Sequence, residues 1–306
     1  MRYRTIPLRF RLLGRLLLLA LPAWCHAAEL RVGAAMESIN PPPGIPMAGY
    51  YHKRASTGVH DDLYARALVL DDGANRVALI SLDLISTRRV FVREARKLIE
   101  ERTGIPAGHV MISATHTHTA PVLSGGRLYE RQGGNEPMAL DYLKGLPERL
   151  SACVETAVQR LDRAEILAAR GHEDSITFNR RYHMRDGTVG WNTGKLNPDI
   201  IKPVGPIDPE VTVVFLRSLS TPRKMLSAYV NYAVHLDNVG GTRLSADLPF
   251  TLTENLRQAL GEDLVTLYVS GACGDLNHID VQWKEPQKGN QNAARMGTIL
   301  AGAVLK

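Results

Sequence analysis

The sequence predicts an α/β fold of layered mixed β-sheets flanked by helices, with the functional site at the C-terminal ends of strands. Near-continuous apolar runs occupy residues 76–82, 110–112, 225–234 and 264–270, and runs of this kind read as strands buried on both faces. Segments with helical character at 87–102, 137–160, 248–260 and 293–305 alternate with them. Each run ends in polar or ligand-type side chains: Asp83, then His116 and His118, then His235 and Asp237, then Asp275 and His278. Ligands of open α/β sheets collect beyond the carboxyl ends of the strands, so four such ends point to one convergent site. Ordinary loop closure predicts no bias toward His and Asp, yet four of the ten histidines stand here.

The elements follow in order. A first strand is expected at 30–36, then a rigid, extended loop, Pro41-Pro42-Pro43-Gly44-Ile45-Pro46. Strands at 64–70 and 76–84 flank Asp71-Asp72-Gly73-Ala74, a hairpin signal. The helix at 87–102 has Gly104 as its stop. The helix at 137–160 is expected to break near 145–147, where Gly145 and Pro147 both disfavour continuity. Strands at 164–169 and 176–179, a hairpin at Met184-Arg185-Asp186-Gly187-Thr188, and strands at 211–216 and 225–234 come next. Ser245-Ala246-Asp247-Leu248-Pro249 opens the helix ending near 260, and 293–305 closes the chain as a helix. There is no repeat, low-complexity tract or obvious linker.

Residues 1–28 carry five arginines and no acid, then Leu16-Leu17-Leu18-Leu19-Ala20-Leu21 and small residues at Ala27 and Ala28. This reads as a secretory signal peptide, too short to span a bilayer. Trp24 spoils a lipoprotein box at Cys25, so a periplasmic or secreted protein is expected. Removing the segment takes Lys+Arg from 37 to 32 against 31 acids, so a formal +6 becomes about +1. The basic balance therefore belongs to export and not to a nucleic-acid partner. Residues 29–306 then form one large domain. Cys153 and Cys273 remain, and export permits a disulfide between them.

The segment Ser113-Ala114-Thr115-His116-Thr117-His118-Thr119-Ala120-Pro121 places two imidazoles two residues apart where a strand gives way to a loop, a common way to hang a metal site on a sheet. Asp83, Asp247 and Asp275 are candidates to orient imidazole N–H groups or to act as general base. A turn or helix cap accounts for each equally well, and Asp247 before Leu248-Pro249 is especially cap-like. Gly271-Ala272-Cys273-Gly274 admits a second chemistry, a cysteine hydrolase pairing Cys273 with His278 or His235.

The order of Ser-Ala-Thr-His-Thr-His-Thr, Phe178-Asn179-Arg180, Asn231-Tyr232-Ala233-Val234-His235 and Gly274-Asp275 resembles the catalytic domain of the neutral/alkaline, non-lysosomal ceramidase family, over residues 30–281. That resemblance implies a zinc amidohydrolase cutting the amide of an N-acyl lipid. It makes His116 and His235 the zinc imidazoles and has His118 hydrogen-bond substrate or attacking water. Arg180 would polarise the substrate, although strand alternation leaves open whether Arg180 or Arg181 faces the pocket. It also implies a small-molecule lipid or N-acyl substrate and transient contact with a membrane surface; oligomeric state is unreadable.

This chain departs from the family at two places, the first where the family reads Gly-Asp-Val-Ser-Pro-Asn and it has Gly274-Asp275-Leu276-Asn277-His278-Ile279. Asn277 replaces a serine assigned as nucleophile, so attack by zinc-activated water is expected, with Asn277 either donating to the oxyanion or shaping the turn. The family's remaining zinc ligands, a glutamate and a tyrosine, lie further downstream, so the domain reads as truncated at its C-terminus and the 306-residue chain as inactive by itself. An esterase or amidase of another substrate class, or a non-catalytic relic of the fold, are the alternatives. The loop at 121–126 is a candidate for part of a lipid groove.

Overall fold

The computed structural model describes residues 29–123 and 125–306; the signal peptide expected at 1–28 lies outside them. The first half supplies β1 (Arg31–Ser38), β2 (Gly58–Val59), β3 (Tyr64–Asp71), β4 (Arg76–Leu82), α1 (Arg89–Thr103), β5 (Val110–Ala114), α2 (Arg127–Arg131) and α3 (Pro137–Gln159). Then come β6 (Asp162–His172), β7 (Phe178–Asn179), β8 (Arg181–Met184), β9 (Val189–Trp191), β10 (Ile200–Pro203), β11 (Glu210–Ser218) and β12 (Met225–Tyr232). The chain ends with β13 (Arg243–Leu244), α4 (Leu248–Leu260), β14 (Val265–Ser270), β15 (Leu276–Asn277) and α5 (Asn290–Leu305).

The main sheet runs β14-β12-β11-β6-β1-β3-β4-β5. It is mixed: β12 with β14 and β4 with β5 pair in parallel, the others antiparallel. Its halves meet only where Arg31 and Val32 pair with Arg163 and Asp162, and this narrow seam lets them fold face to face. Val32, Leu68, Leu216, Val265 and Leu267 fill the space between the halves, and Ser81 Oγ on β4 donates to Tyr268 O on β14 across it (2.6 Å). Strand alternation sends the opposite side chains outward. On β3, Ala65, Ala67 and Val69 pack under α1 and α3; on β12, Ala228, Val230 and Tyr232 pack under α4 and α5. The result is four layers, helices, half-sheet, half-sheet, helices, as expected of a layered mixed α/β chain.

One expectation is corrected. The helix at 137–160 does not break: α3 runs unbroken through Pro147. An internal proline costs about 3 kcal/mol, and burial of Tyr142, Leu146, Leu150, Cys153 and Val154 in the core outweighs it. Of the loop at 121–126, Val122 and Leu123 are buried among core residues, and Gly125 lines a groove beside α1 and α3. The stop at Gly104 holds, its N–H returning to Glu100 O (2.9 Å). No helix of the described residues is long and apolar enough to cross a membrane.

Candidate functional site

Three imidazoles from two strand-end loops meet at one point. After β5, main-chain bonds from Thr115 N to Leu82 O (2.8 Å) and His116 N to Leu84 O (2.9 Å) hold the chain beside the end of β4. His116 then takes a left-handed φ of 72°, a conformation uncommon outside glycine that collects at functional sites. Thr117 and Thr119 are buried, both hydroxyls donating to Ser245 O (2.7 and 3.1 Å). His118 N donates to Leu236 O (3.0 Å), tying this loop to the one after β12 that carries His235. Ring centroids stand 5.0 Å (His116 and His118), 4.6 Å (His116 and His235) and 4.8 Å (His118 and His235) apart.

Each ring is oriented by a main-chain carbonyl on its Nδ1: Ile85 O for His116 (2.7 Å), Gly49 O for His118 (2.9 Å) and Cys273 O for His235 (3.2 Å). A ring that donates from Nδ1 keeps its lone pair on Nε2. The three offered nitrogens lie within 4.8 Å of one another, with His118 Nε2 only 3.0 Å from His235 Nε2. Burial, then the neighbouring His235 imidazole, pushes His118 down to about 3; burial, then the Arg180 guanidinium, pushes His235 down to about 4. Two unprotonated lone pairs face each other at hydrogen-bond distance. A shared cation relieves that repulsion, so the donor set fits zinc, for which imidazole nitrogen is a preferred ligand.

The flanking pocket, about 510 Å³, is lined by Arg180, Asp237 and Asn277 among others. Arg180 faces it and is 9% exposed, whereas Arg181 points to solvent. Arg180 donates from Nε and Nη2 to Gly274 O (3.2 and 2.7 Å) and stacks on Trp191 with Cζ 4.1 Å from the ring centroid. Asn277 shapes the turn, its Oδ1 accepting from Ile279 N (3.0 Å), and its Nδ2 donates to Asn192 Oδ1 (3.2 Å) at the pocket wall.

The three aspartates raised from sequence are engaged elsewhere. Asp83 is fully buried and accepts from Arg66 Nη1 (2.6 Å) and Tyr64 N (2.9 Å). Asp247 caps α4 from Leu248 N (2.7 Å) and fastens the His235 loop through Asn238 Nδ2 (3.1 Å) and Val239 N (3.0 Å). Asp275 accepts from Asn179 Nδ2 (3.0 Å), and its carbonyl accepts from Arg180 N (2.8 Å). The residue that sequence reasoning gave no role is Asp237. Burial opposes its ionisation, but His278, at 3.0 Å and itself fully buried, together with His235 and His118, holds it well below the usual carboxylate range.

Cys153 and Cys273 are both free thiols, so the permitted disulfide is not formed. The cysteine-hydrolase arrangement is absent as well. His235 meets the Cys273 carbonyl, His278 meets Asp237, and the Cys273 thiol lies 3.5 Å from Ser270 Oγ.

Fold and site together define a four-layer α/β domain with a half-buried, metal-ligand-type imidazole cluster at its strand ends. Its likeness is to the neutral ceramidases. The chain is 29% identical over 241 residues, 74% of its length, to neutral ceramidase of Drosophila pseudoobscura pseudoobscura, and 29% over 228 residues, 71% of its length, to that of Drosophila melanogaster. It spans about a third of the length of these curated relatives, 32% and 30%. The crystal structure of neutral ceramidase from Pseudomonas aeruginosa superposes with a TM-score of 0.74 at 19% identity, over 91% of this chain and 44% of that one. A ceramidase complexed with C2 gives 0.71 over 91% and 43%. No family model matches the chain. The resemblance seen in the motifs therefore holds in sequence and in fold.

Proposed function

We propose that this chain carries the metal-binding core of an exported, zinc-dependent amidohydrolase that cuts an N-acyl amide of a ceramide-like lipid. One observation carries the reading: three imidazoles, His235 buried and His116 and His118 half-buried, each held by a carbonyl on Nδ1, turn their Nε2 atoms to a common point. His116 and His235 hold zinc as the resemblance implies, and His118, at 3.0 Å from His235 Nε2, completes the set. A zinc ion held there supplies Lewis-acid polarisation of a carbonyl and activation of water near neutral pH.

The remaining roles fall to the pocket residues. Arg180 has five N–H donors and spends two on Gly274 O; the others are left for a substrate oxygen. Asn277 spends one Nδ2 hydrogen on Asn192 and offers the second to charge developing on the carbonyl, an interaction worth about 3 kcal/mol in a preorganised site. With asparagine at that position, water attacks directly and no acyl-enzyme forms.

The basic, leucine-rich residues 1–28 direct export, and a lipid substrate brings the protein into transient contact with membrane surfaces. Two measurements test the core reading. Plasma emission spectroscopy should find about one zinc per chain, and rapid-quench kinetics with a fluorescent N-acyl amide, on the protein joined to a downstream segment supplying the glutamate and tyrosine ligands the resemblance implies, should show linear amine release. Absence of zinc refutes the metal site, and a stoichiometric burst with acyl group trapped on the protein refutes direct attack.

A further inference from the structure

Arg180 is buried, yet its close partners are a carbonyl, Gly274 O, and the face of Trp191. The carboxylates of Asp237 and Asp275 attract it only at longer range. A buried charge is ordinarily paired, and this one faces the pocket beside the imidazoles with Nη1 uncommitted. Two more cations line that pocket, Lys195 and Lys288, and a single carboxylate, Asp237. Among the described residues none of the three cations has an ion-pair partner, whereas Asp237 has His278 at 3.0 Å. Asp275, Asp280 and Glu285, on the adjoining segments, do not line the pocket.

The lysines are carried on a bonded framework. Asn192 N donates to Arg180 O (3.0 Å) and Leu196 N to Val281 O (2.7 Å), so the loop at 192–196 bridges Arg180 and the segment at 281–288. Lys195 Nζ itself donates to Lys284 O (2.9 Å) and Glu285 O (2.7 Å). Lys288 follows buried Gln287, whose Oε1 accepts from Asp280 N (2.7 Å) and whose Nε2 donates to Asp280 O (2.8 Å) and Trp283 O (3.1 Å). On its other side Gly289 N donates to Asn238 O (2.8 Å), next to Asp237 in the loop that carries His235. Three cations thus surround one pocket against one carboxylate, a field that favours an anion and disfavours a cation. Resting on the lipid-amide reading above, we propose that the substrate carries an anionic group, a carboxylate, sulfate or phosphate, beside its scissile amide, and that Arg180, Lys195 and Lys288 receive it. Guanidinium N–H groups suit such an oxyanion in both charge and geometry.

The test is calorimetric titration of the protein as purified with octanesulfonate, octanol and inorganic sulfate, none of which has an amide to cleave. Octanesulfonate should bind at least about tenfold more tightly than octanol at low salt, as expected of a few partly screened charges. That preference should fade between about 0.01 M and about 1 M salt, where the screening length drops from about 30 Å to about 3 Å. Lys288→Glu, at an exposed position, should weaken octanesulfonate at least about fivefold and leave octanol unchanged; Lys195→Gln should weaken it about twofold. Lys97→Gln with Lys144→Gln, on α1 and α3, should change neither ligand. Equal affinity for the two octyl ligands, no binding of either, or a preference that survives Lys288→Glu overturns the proposal. So does inorganic sulfate binding as tightly as octanesulfonate, which would make the pocket a simple anion site, or loss of the preference in the Lys97 and Lys144 variant. An anion preference in a protein that holds no zinc and cleaves no amide sinks the hydrolase reading alone. Cleavage of a neutral N-acyl amide with no anion preference sinks this proposal alone.

Discussion

Gly49 is the residue on which the orientation of His118 rests, and replacing it with alanine should uncouple the site from the fold. Its carbonyl accepts from His118 Nδ1 at 2.9 Å, and its φ is +101°. A Cβ placed there would stand 2.4 Å from His118 O, 2.6 Å from His118 Cβ and 2.7 Å from His118 Cα. None of these atoms can swing aside, so one of the two loops must move. Left-handed strain on a residue other than glycine costs about 1–3 kcal/mol. The clash comes on top, for a total of about 3 kcal/mol or somewhat more, a fall in melting temperature of roughly 5–10 °C for a chain of this size. Gly44 supplies the control: its φ is +86° and an added Cβ meets nothing within 4 Å, so Gly44→Ala carries the conformational cost by itself. Differential scanning calorimetry of both variants, with zinc titrations alongside, should show Gly49→Ala the less stable and at least about tenfold weaker for zinc, the usual consequence of losing an orienting partner. Equal stability of the two variants with equal zinc affinity would refute the reasoning.

Alanine at His116, His118 or His235 should each remove stoichiometric zinc; retention by His118→Ala alone would return that ring to orienting water or substrate. Metal-stripped protein should lose stability as pH falls below 6.5. His118 and His235 are held down to about 3 and about 4 when folded, so the unfolded chain binds more protons in that window, at about 1.4 kcal/mol per pH unit for each ring. Denaturant midpoints that stay level between pH 7 and pH 4.5 would contradict this. Asp247→Ala strips the acceptor from Leu248 N, Val239 N and Asn238 Nδ2, and urea titration should register a loss of about 3 kcal/mol. In the protein joined to the downstream segment, Cys273→Ser should keep amide hydrolysis, since His235 addresses the residue's carbonyl; abolished turnover with zinc intact would revive a thiol mechanism.

What the sequence showed and what it hid divide along a physical line. Apolar runs ending in His and Asp told where strands stop, and the rings at His116, His118 and His235 do come together from two such ends. Alternation could not choose between Arg180 and Arg181, because β7 and β8 are short and the arginine sits between them. The face-to-face folding of the half-sheets was equally hidden, since it depends on a two-residue seam at Arg31 and Val32. Carboxylates were candidates to orient the imidazoles beside a turn or cap role, and main-chain carbonyls of Gly49, Ile85 and Cys273 orient them. Every residue carries a carbonyl, so such an acceptor leaves no mark in the composition of a motif. Its position is a tertiary fact, set by where the loops at Gly49, Ile85 and Cys273 come to rest. Asp83, Asp247 and Asp275 meanwhile do the work that fixes those loops and their neighbours, binding Arg66, capping α4 and holding Asn179. Acidic residues at strand ends thus stand at the site while serving its scaffold, and the one that lines the pocket beside His278 is Asp237.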